Sequence, residues 1–367
     1  MPLYMDLHIL PGVKAKEVAE AHRRDMLIQD DHACKCMTYW IDEKRGNVFC
    51  LIEAPDKAAV ETMHSNAHGL IPNKIIEVND SLVESFLGRI NDPDDATFSD
   101  EGLKVFSDAS FRVLMVIKME DAVLLQHSLG REKANELLKQ FNDIIRKNLA
   151  IYAGSEIEYE GFDFIASFVS AGKAVSSAFA IQEMLAASDL QAISFKIAIN
   201  AGEPVAKNEQ LFGDTILLAE RMCSVAKKSQ VIISTAVKEL IFKDHFQNNE
   251  HENNSITFTP GDEELLNLLF GKLEENWQDT DFNITDYCLS IAMSKSKLYR
   301  KTIALSGFSP NVLLKEFRLE KALGLMKKQR HNISEITFHS GFTSPSYFTK
   351  CFKKKFGITP MAYLGLV

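Results

Sequence analysis

Along the first 90 residues the apolar positions switch between two periods. One is a period of two, where side chains take turns on the faces of a strand; the other is near 3.6, where they recur on one face of a helix. Leu3 to Ile9, Cys36 to Ile41, Val48 to Glu53 and Lys74 to Val78 carry the strand signal, with Gly46 and Asn47 as the turn between the middle pair. Lys14 to Gln29 and Asp56 to Asn66 read as helices, and Pro11, Gly12, Pro55 and Pro72 punctuate the elements where such residues end them. The order βαββαβ predicts a ferredoxin-like sandwich.

Residues 105 to 243 predict a second mixed unit. Phe111 to Ile117 reads as a buried strand, and Arg131 to Asn148 as a helix whose Ala134, Leu137, Leu138, Phe141, Ile144 and Ile145 fall at i, i+3 and i+4. Ser155 to Tyr159 and Phe162 to Val169 give a hairpin signal; Lys173 to Ala187 follows as a helix, and Ser194 to Ala201 and Gln230 to Ser234 as strands. From 262 onward only helices broken by Gly, Pro and Ser are predicted. The acidic stretch Asn91 to Glu101 and the Asn- and His-rich stretch Asp244 to Asp262 read as linkers. The expected fold class is therefore multidomain α+β: a ferredoxin-like domain at 1–90, another α+β domain at 105–243 and an all-α domain at 262–367.

Composition adds little until it is divided. The 367 residues are 46% hydrophobic and 25% charged, as in ordinary globular proteins, and the net charge is -9. Phe282 to Val367, however, holds 14 Lys and Arg against 4 Asp and Glu, so the rest of the chain is strongly acidic. A basic C-terminal block on an acidic body predicts a nucleic-acid-binding module, with a basic lipid-facing surface as the competing explanation. No apolar run reaches the roughly 18 residues of a membrane span, and Met1 to His8 has no basic leader, so no membrane association and a cytoplasmic location are expected. The six cysteines would then be thiols or metal ligands.

The most specific pattern is Ile333 to Pro360. A short helix with Ile333 and Ile336 ends at Gly341, and Ser344 and Pro345 offer the N-cap and first position of the next helix. There Phe348, Phe352 and Phe356 share one face, while Ser346, Thr349, Lys350, Lys353 and Lys354 share the other. A helix that is apolar inward and basic outward suits the major groove of DNA. Gly341, Phe342, Ser346, Tyr347, Phe348, Phe352, Lys353, Lys354, Phe356, Gly357, Thr359, Pro360 and Tyr363 closely resemble the AraC/XylS family of bacterial transcription regulators. Met293, Ser294, Leu298, Tyr299, Arg300, Lys301, Gly307, Ser309 and Pro310 resemble that family's first helix-turn-helix. The resemblance implies double-stranded DNA as partner, contacted by Ser294, Lys295, Ser296, Lys297, Arg300 and Lys301 and by Ser344, Ser346, Tyr347, Thr349, Lys350, Lys353 and Lys354. A helix from about Asn311 to Gln329 would space the two units. Cys288 and Thr337 stand where the family usually has Ala, and fit as small core residues.

The middle block resembles the catalytic domain of class III nucleotide cyclases, through Ala166, Ser167 and Phe168, Asn200 to Pro204, and Phe212, Gly213, Ala219 and Arg221. Such chemistry needs two carboxylates to hold metal ions. The resemblance puts Lys118 and Phe162 at those positions and Leu217 at that of a transition-state Asn, with Glu120, Asp121 and Asp163 displaced. It implies a domain that is not an enzyme and that dimerises, making a homodimer the expected state. Lys118 and Arg221 are the candidate ligand residues, for a nucleotide effector whose phosphate Lys118 would meet in place of a metal; alternatively Lys118 extends to solvent.

In the N-terminal block His64 and His68 lie i, i+4 on a helix or just past its end, and His8, His22, Cys34, Cys36 and Cys50 add further donors, a set that favours nickel, zinc or copper over magnesium or calcium. Pro2, Tyr4, Thr38, Phe49, Ala54, Pro55, His64, His68, Gly69, Leu70, Glu77 and Val78 resemble a family of ferredoxin-like bacterial proteins, one branch of which binds nickel. His8, His22, His64 and His68 are the candidate ligands, with Cys50 read as a core residue. The expected function is a DNA-binding regulator whose first two domains sense a metal ion or nucleotide and dimerise. The alternatives are a cyclase under DNA or metal control and a metal-binding protein tethered to DNA.

Overall fold

The computed structural model describes residues 1–100, 102–119, 121–158, 164–188, 190–243 and 255–367. The N-terminal domain runs β1 (Leu3–Ile9), α1 (Ala15–Ile28), β2 (Lys35–Asp42), β3 (Asn47–Glu53), α2 (Lys57–Ala67), β4 (Lys74–Val78) and α3 (Asp80–Leu87). Its antiparallel sheet has the order β2-β3-β1-β4, as the ferredoxin-like reading predicts. Period two sorts the strands: Tyr4, Val48, Cys50, Ile52 and Ile75 pack under α1 and α2 with Val18, Ala19, Val60 and Met63, while Met5, Leu7, Phe49, Leu51 and Ile76 turn to the other face.

That other face is covered by the rest of the chain. After a short hairpin of β5 (Thr97–Phe98) and β6 (Lys104–Val105), the middle domain runs β7 (Arg112–Met119), α4 (Ala122–Leu129), α5 (Arg131–Ile151), β8 (Ser155–Ile157), β9 (Phe164–Phe168), α6 (Ala171–Ala187), β10 (Phe195–Gly202), α7 (Gly213–Val225), β11 (Val231–Ile233), α8 (Thr235–Lys243) and β12 (Ser255–Thr257). The sheet order is β12-β11-β10-β7-β9-β8. Its antiparallel part, β10-β7-β9-β8, repeats the last-first-third-second order of the N-terminal sheet. Met115, Ile117, Ala166, Ile197 and Ile199 pack on α5, α6 and α8. Leu114, Val116, Ile165 and Ala198 face the opposite way, into one continuous core with α7, α3 and the open face of the first sheet. Phe86 on α3 meets Phe212 at 4.9 Å between ring centroids. Polar contacts border this junction: Asn47 Nδ2 donates to both Glu203 carboxylate oxygens at 2.6 and 2.7 Å, and Ser167 Oγ and Arg112 Nε both donate to the Phe86 carbonyl.

The stretch read as a self-solvating linker instead packs on the first domain. Ala96, Leu103 and Phe106 join the core beneath α1, and Phe106 stacks on Tyr39 at 4.1 Å. The physical reason is that these apolar side chains interrupt and follow the acidic run, and their burial outweighs its solvation. Positions 244–254 of the second linker lie outside the described residues.

The C-terminal block is all helical: α9 (Pro260–Asn276), α10 (Ile284–Ser290), α11 (Lys295–Ser306), α12 (Pro310–Lys327), α13 (Ile333–His339), α14 (Pro345–Phe356) and α15 (Pro360–Leu364). It is docked at two points. Leu265, Leu266, Leu269 and Leu273 of α9 enter the shared core together with Tyr287, Leu298 and Leu313, and Tyr287 Oη donates to the Leu269 carbonyl at 2.8 Å. Further along, Leu124 of α4 inserts among Leu319, Leu323, Ile336, Phe348 and Tyr363. Asp121, the N-cap of α4, accepts from the backbone of Val123 and Leu124, from Tyr363 Oη at 3.2 Å on both oxygens, and from Lys327 Nζ at 2.6 Å. Lys327 is half exposed, so its ion pair contributes little; the buried tyrosine bond holds more.

Asp121→Asn keeps a good N-cap and removes the charge, whereas Asp121→Ala removes both cap and latch and is expected to cost about 1–3 kcal/mol. Hydrogen exchange at 122–129 and 360–364 should quicken in the Ala variant, with α2 unchanged. Undiminished protection at 360–364 would show that Asp121 does not hold the C-terminal unit.

Candidate metal centre and nucleic-acid interface

Two periodicities bring the metal donors of the first domain together. Asp6 and His8 alternate onto the helix-covered face of β1, Cys50 of β3 lies on the same face, and His64 of α2 and Asp25 of α1 point down from above. Asp6, His8, Cys50 and His64 form one group, and Asp25, His64 and His68 another, each with its donor atoms within 4.8 Å of one another. His64, fully buried, lies between the carboxylates: Nε2 is 2.8 Å from Asp6 Oδ2 and Nδ1 is 3.1 Å from Asp25 Oδ1. Burial opposes charge on this imidazole, but Asp6 and Asp25 carry its pKa up to about 10. Burial likewise works against the Asp25 carboxylate, yet His64 and His68 hold it down at about 2. For His8 burial dominates and keeps the ring neutral, below the usual histidine range.

The donor chemistry fits a borderline transition metal, with imidazoles, carboxylates and one thiol and without the all-oxygen cage of magnesium or calcium. Of the four expected ligands, His8, His64 and His68 are brought together. His22 is not: its ring packs edge-on to Tyr39, and its Nε2 is 4.0 Å from Asp92, because its position on α1 turns it toward β2 and the 91–106 segment. Cys50, read as core, is buried and yet stands among the donors; Cys34 and Cys36 do not, and the Cys36 thiol lies against the Met63 sulfur at 3.8 Å. Asp6 and Asp25 were missed. The only signal was a charge inside an otherwise apolar strand and one on the buried side of a helix.

In the middle domain the two candidate ligand residues, Lys118 and Arg221, each pair with an acidic side chain of the same chain. Lys118 Nζ pairs with Glu220 of α7 at 2.7 Å. Arg221 donates to Glu274 at 2.6 Å and to Asn267 at 2.8 Å, joining α7 to α9. A buried or half-buried cation needs an anion beside it, and the fold supplies one from its own helices. Glu120, Phe162 and Asp163 lie outside the described residues.

The C-terminal block contains two matching units. Ser294 and Ser344 cap α11 and α14, accepting from Lys297 N and Tyr347 N. Leu298 and Thr302 of α11, and Phe348 and Phe352 of α14, are buried. Ser294, Lys295, Ser296, Lys297, Arg300 and Lys301 are exposed, as are Ser346, Tyr347, Lys350, Lys353 and Lys354, while Ser344 and Thr349 are half-buried at the edge of that face. Lys355 points the other way, to Glu316 and Glu320 of α12. The 18 residues of α12, about 27 Å at 1.5 Å per residue, separate the units. The turn of the first unit has Ala292 at φ 51° where that of the second has Gly341 at φ 77°. A Cβ on Gly341 would fall 2.1 Å from the Trp277 carbonyl oxygen, so glycine is required there for space as well as for its dihedral angle. Cys288 and Thr337 are buried, as small core residues should be.

Residues 287–365 match the family described as helix-turn-helix domain, and residues 4–78 that described as nickel responsive protein SCO4226-like. The C-terminal segment thus matches a helix-turn-helix domain, and the N-terminal segment is similar to the nickel-responsive proteins. Histidine kinase P4 of Formosa agariphila is 38% identical over 122 residues, 33% of this chain and 9% of that protein. The HTH-type transcriptional regulator MtrA of Neisseria gonorrhoeae is 29% identical over 99 residues, 27% of this chain and 31% of its own length. The chain therefore spans less than a third of these two relatives. Among solved structures, an adenylate/guanylate cyclase/hydrolase from Silicibacter pomeroyi aligns at 20% identity with a TM-score of 0.30, covering 36% of this chain and 81% of that one. No helix among the described residues is long and apolar enough to cross a membrane.

Lys353→Ala and Lys354→Ala should each weaken binding to all DNA sequences and lower the slope of log K against log salt by about one; an unaltered slope would remove that lysine from phosphate contact. Gly341→Ala is expected to lose about 1–3 kcal/mol from backbone strain alone, read as a lower melting temperature. A melting temperature equal to the parent's would show that the turn relaxes freely.

Proposed function

We propose that this chain is a sequence-specific, DNA-binding transcription regulator whose N-terminal domain senses a transition metal, nickel being the first ion to try. The observation that carries this is the pair of capped helices α11 and α14, each apolar inward and basic outward, spaced by α12 and attached to a domain with converging metal donors. Lys295, Lys297, Arg300, Lys301, Lys350, Lys353 and Lys354 meet phosphates, and Ser296, Ser346, Tyr347 and Thr349 lie where base edges are read. His8, His64 and His68, with Asp6, Asp25 and Cys50, hold the metal.

In this reading the middle domain is not an enzyme. Lys118 stands where the resemblance puts a metal-binding aspartate, and an ammonium cannot coordinate magnesium. Nor is a nucleotide the favoured effector, since the charges of Lys118 and Arg221 are engaged by Glu220 and Glu274. The protein acts as a homodimer, and its interface lies outside the two sheet faces that one chain already buries against each other. A coupling of about 1–3 kcal/mol between metal and DNA suffices for a useful switch.

The test is selection of bound genomic fragments by the purified protein at physiological salt, with nickel and again with EDTA. A motif enriched in only one condition is expected. The same motif in both would leave the regulator and remove the metal as effector; no motif in either would count against the DNA-binding reading itself.

A further inference from the structure

The two donor groups of the N-terminal domain share one residue. His64 belongs to both because its ring nitrogens point in different directions, Nε2 to Asp6 and Nδ1 to Asp25 and His68. Each nitrogen has a single site in the ring plane, so one ion cannot use both. Ligand bonds of about 2.1 Å place neighbouring donors roughly 3.0–3.4 Å apart around one ion. Asp25 Oδ1, His64 Nδ1 and His68 Nε2 form a triangle with sides of 3.1, 3.1 and 3.2 Å. On the other side of the ring, His8 Nε2 is 3.5 Å from Asp6 Oδ1, with Cys50 completing the group. Without metal, the shorter of these separations serve as hydrogen bonds.

Building on the metal-binding reading above, we propose that the domain takes two divalent transition-metal ions bridged by the His64 imidazole. The first is held by Asp6, His8, Cys50 and His64 Nε2; the second by Asp25, His68 and His64 Nδ1. Ligands bind deprotonated, so full loading releases to solvent the protons of both His64 nitrogens and of the Cys50 thiol. Both positions border one groove, lined by His8 and Cys50 of the first and by Asp25 and His68 of the second; the first has a thiolate and the second has none. Loading the second has a structural consequence. His68 Nδ1 accepts the Leu70 amide at 3.2 Å, but a neutral imidazole bound to metal through Nε2 carries its proton on Nδ1, so two donors then face each other and the turn at Gly69 must move.

The experiment is titration of the full chain with cobalt(II), whose thiolate charge-transfer absorption reports the Cys50 position alone. Two equivalents are expected, the charge-transfer band growing with only one of them. Cys50→Ser abolishes the band and leaves the other equivalent; His68→Ala weakens that other equivalent at least about tenfold and leaves the band. His64→Ala weakens both. Because His64→Ala removes a buried ion from between two carboxylates and can unfold the domain, Cys50→Ser and His68→Ala carry the decision, with circular dichroism confirming their fold. One equivalent overturns the two-ion site and leaves a metal-binding domain. Two equivalents indifferent to Cys50→Ser and His68→Ala place the ions elsewhere and overturn it as well. No bound cobalt overturns both this inference and the metal-binding reading, and shows the cluster to be a hydrogen-bonded network only.

Discussion

A four-stranded sheet with helices on one side leaves the other side apolar, and that face has to be covered by something. This molecule meets the requirement twice with a single interface. The open face of the first sheet, with Met5, Leu7, Phe49, Leu51 and Ile76, and that of the second, with Leu114, Val116, Ile165 and Ala198, share one core filled by α3 and α7. Because α9 and α10 enter the same core, the three blocks are not beads on a string. Their relative placement follows from burial of hydrophobic surface, at roughly 25 cal/mol per Å² of apolar area, rather than from the linkers.

Much of this architecture was legible in local pattern. All four strands of the first sheet, its two covering helices and both helix-turn-helix units stand where period, cap and turn residues put them, since those signals act within a few residues. Less legible was α3. Its run Asp80 to Leu87 is short and follows a strand with only Asn79 to mark its start, although that side chain does cap it. The acidic segment after it was misread for a different reason. Composition describes an average, whereas Phe106 stacked on Tyr39 is a single long-range contact that no local window contains.

The functional residues divide in the same way. His64 and His68 announce themselves by i, i+4 spacing, and His8 by its place on a strand; the partners that give them chemistry do not. Asp6 and His64 are 58 positions apart, and Asp25 and His64 are 39 apart, so their juxtaposition is a product of topology. Lys118 and Arg221 teach the converse. As candidate ligand residues they were readable, but their partners Glu220 and Glu274 sit on helices whose packing only the fold reveals. Asp121 is related: its carboxylate caps α4 and accepts from Tyr363, 242 positions away.

A shared core also bears on how a signal would cross the molecule. An ion that binds two arrangements of the protein equally shifts neither, so sensing requires donor geometry that differs between them. In the first domain the contact that loading must reverse is the Leu70 amide on His68, at a turn whose Gly69 has φ of 80° and room around it. The helix that supplies His64 is packed on the strand that supplies Asp6, and Met5 and Leu7, the neighbours of Asp6, face into the core shared with α9 and α10. Packed interiors respond to displacement by moving between discrete arrangements rather than by yielding gradually. A shift of β1 therefore has to be accommodated by α3, α7 or α9, and α9 is tied to the helix-turn-helix domain by Tyr287 Oη on the Leu269 carbonyl and by Arg318 Nε on the Trp277 carbonyl.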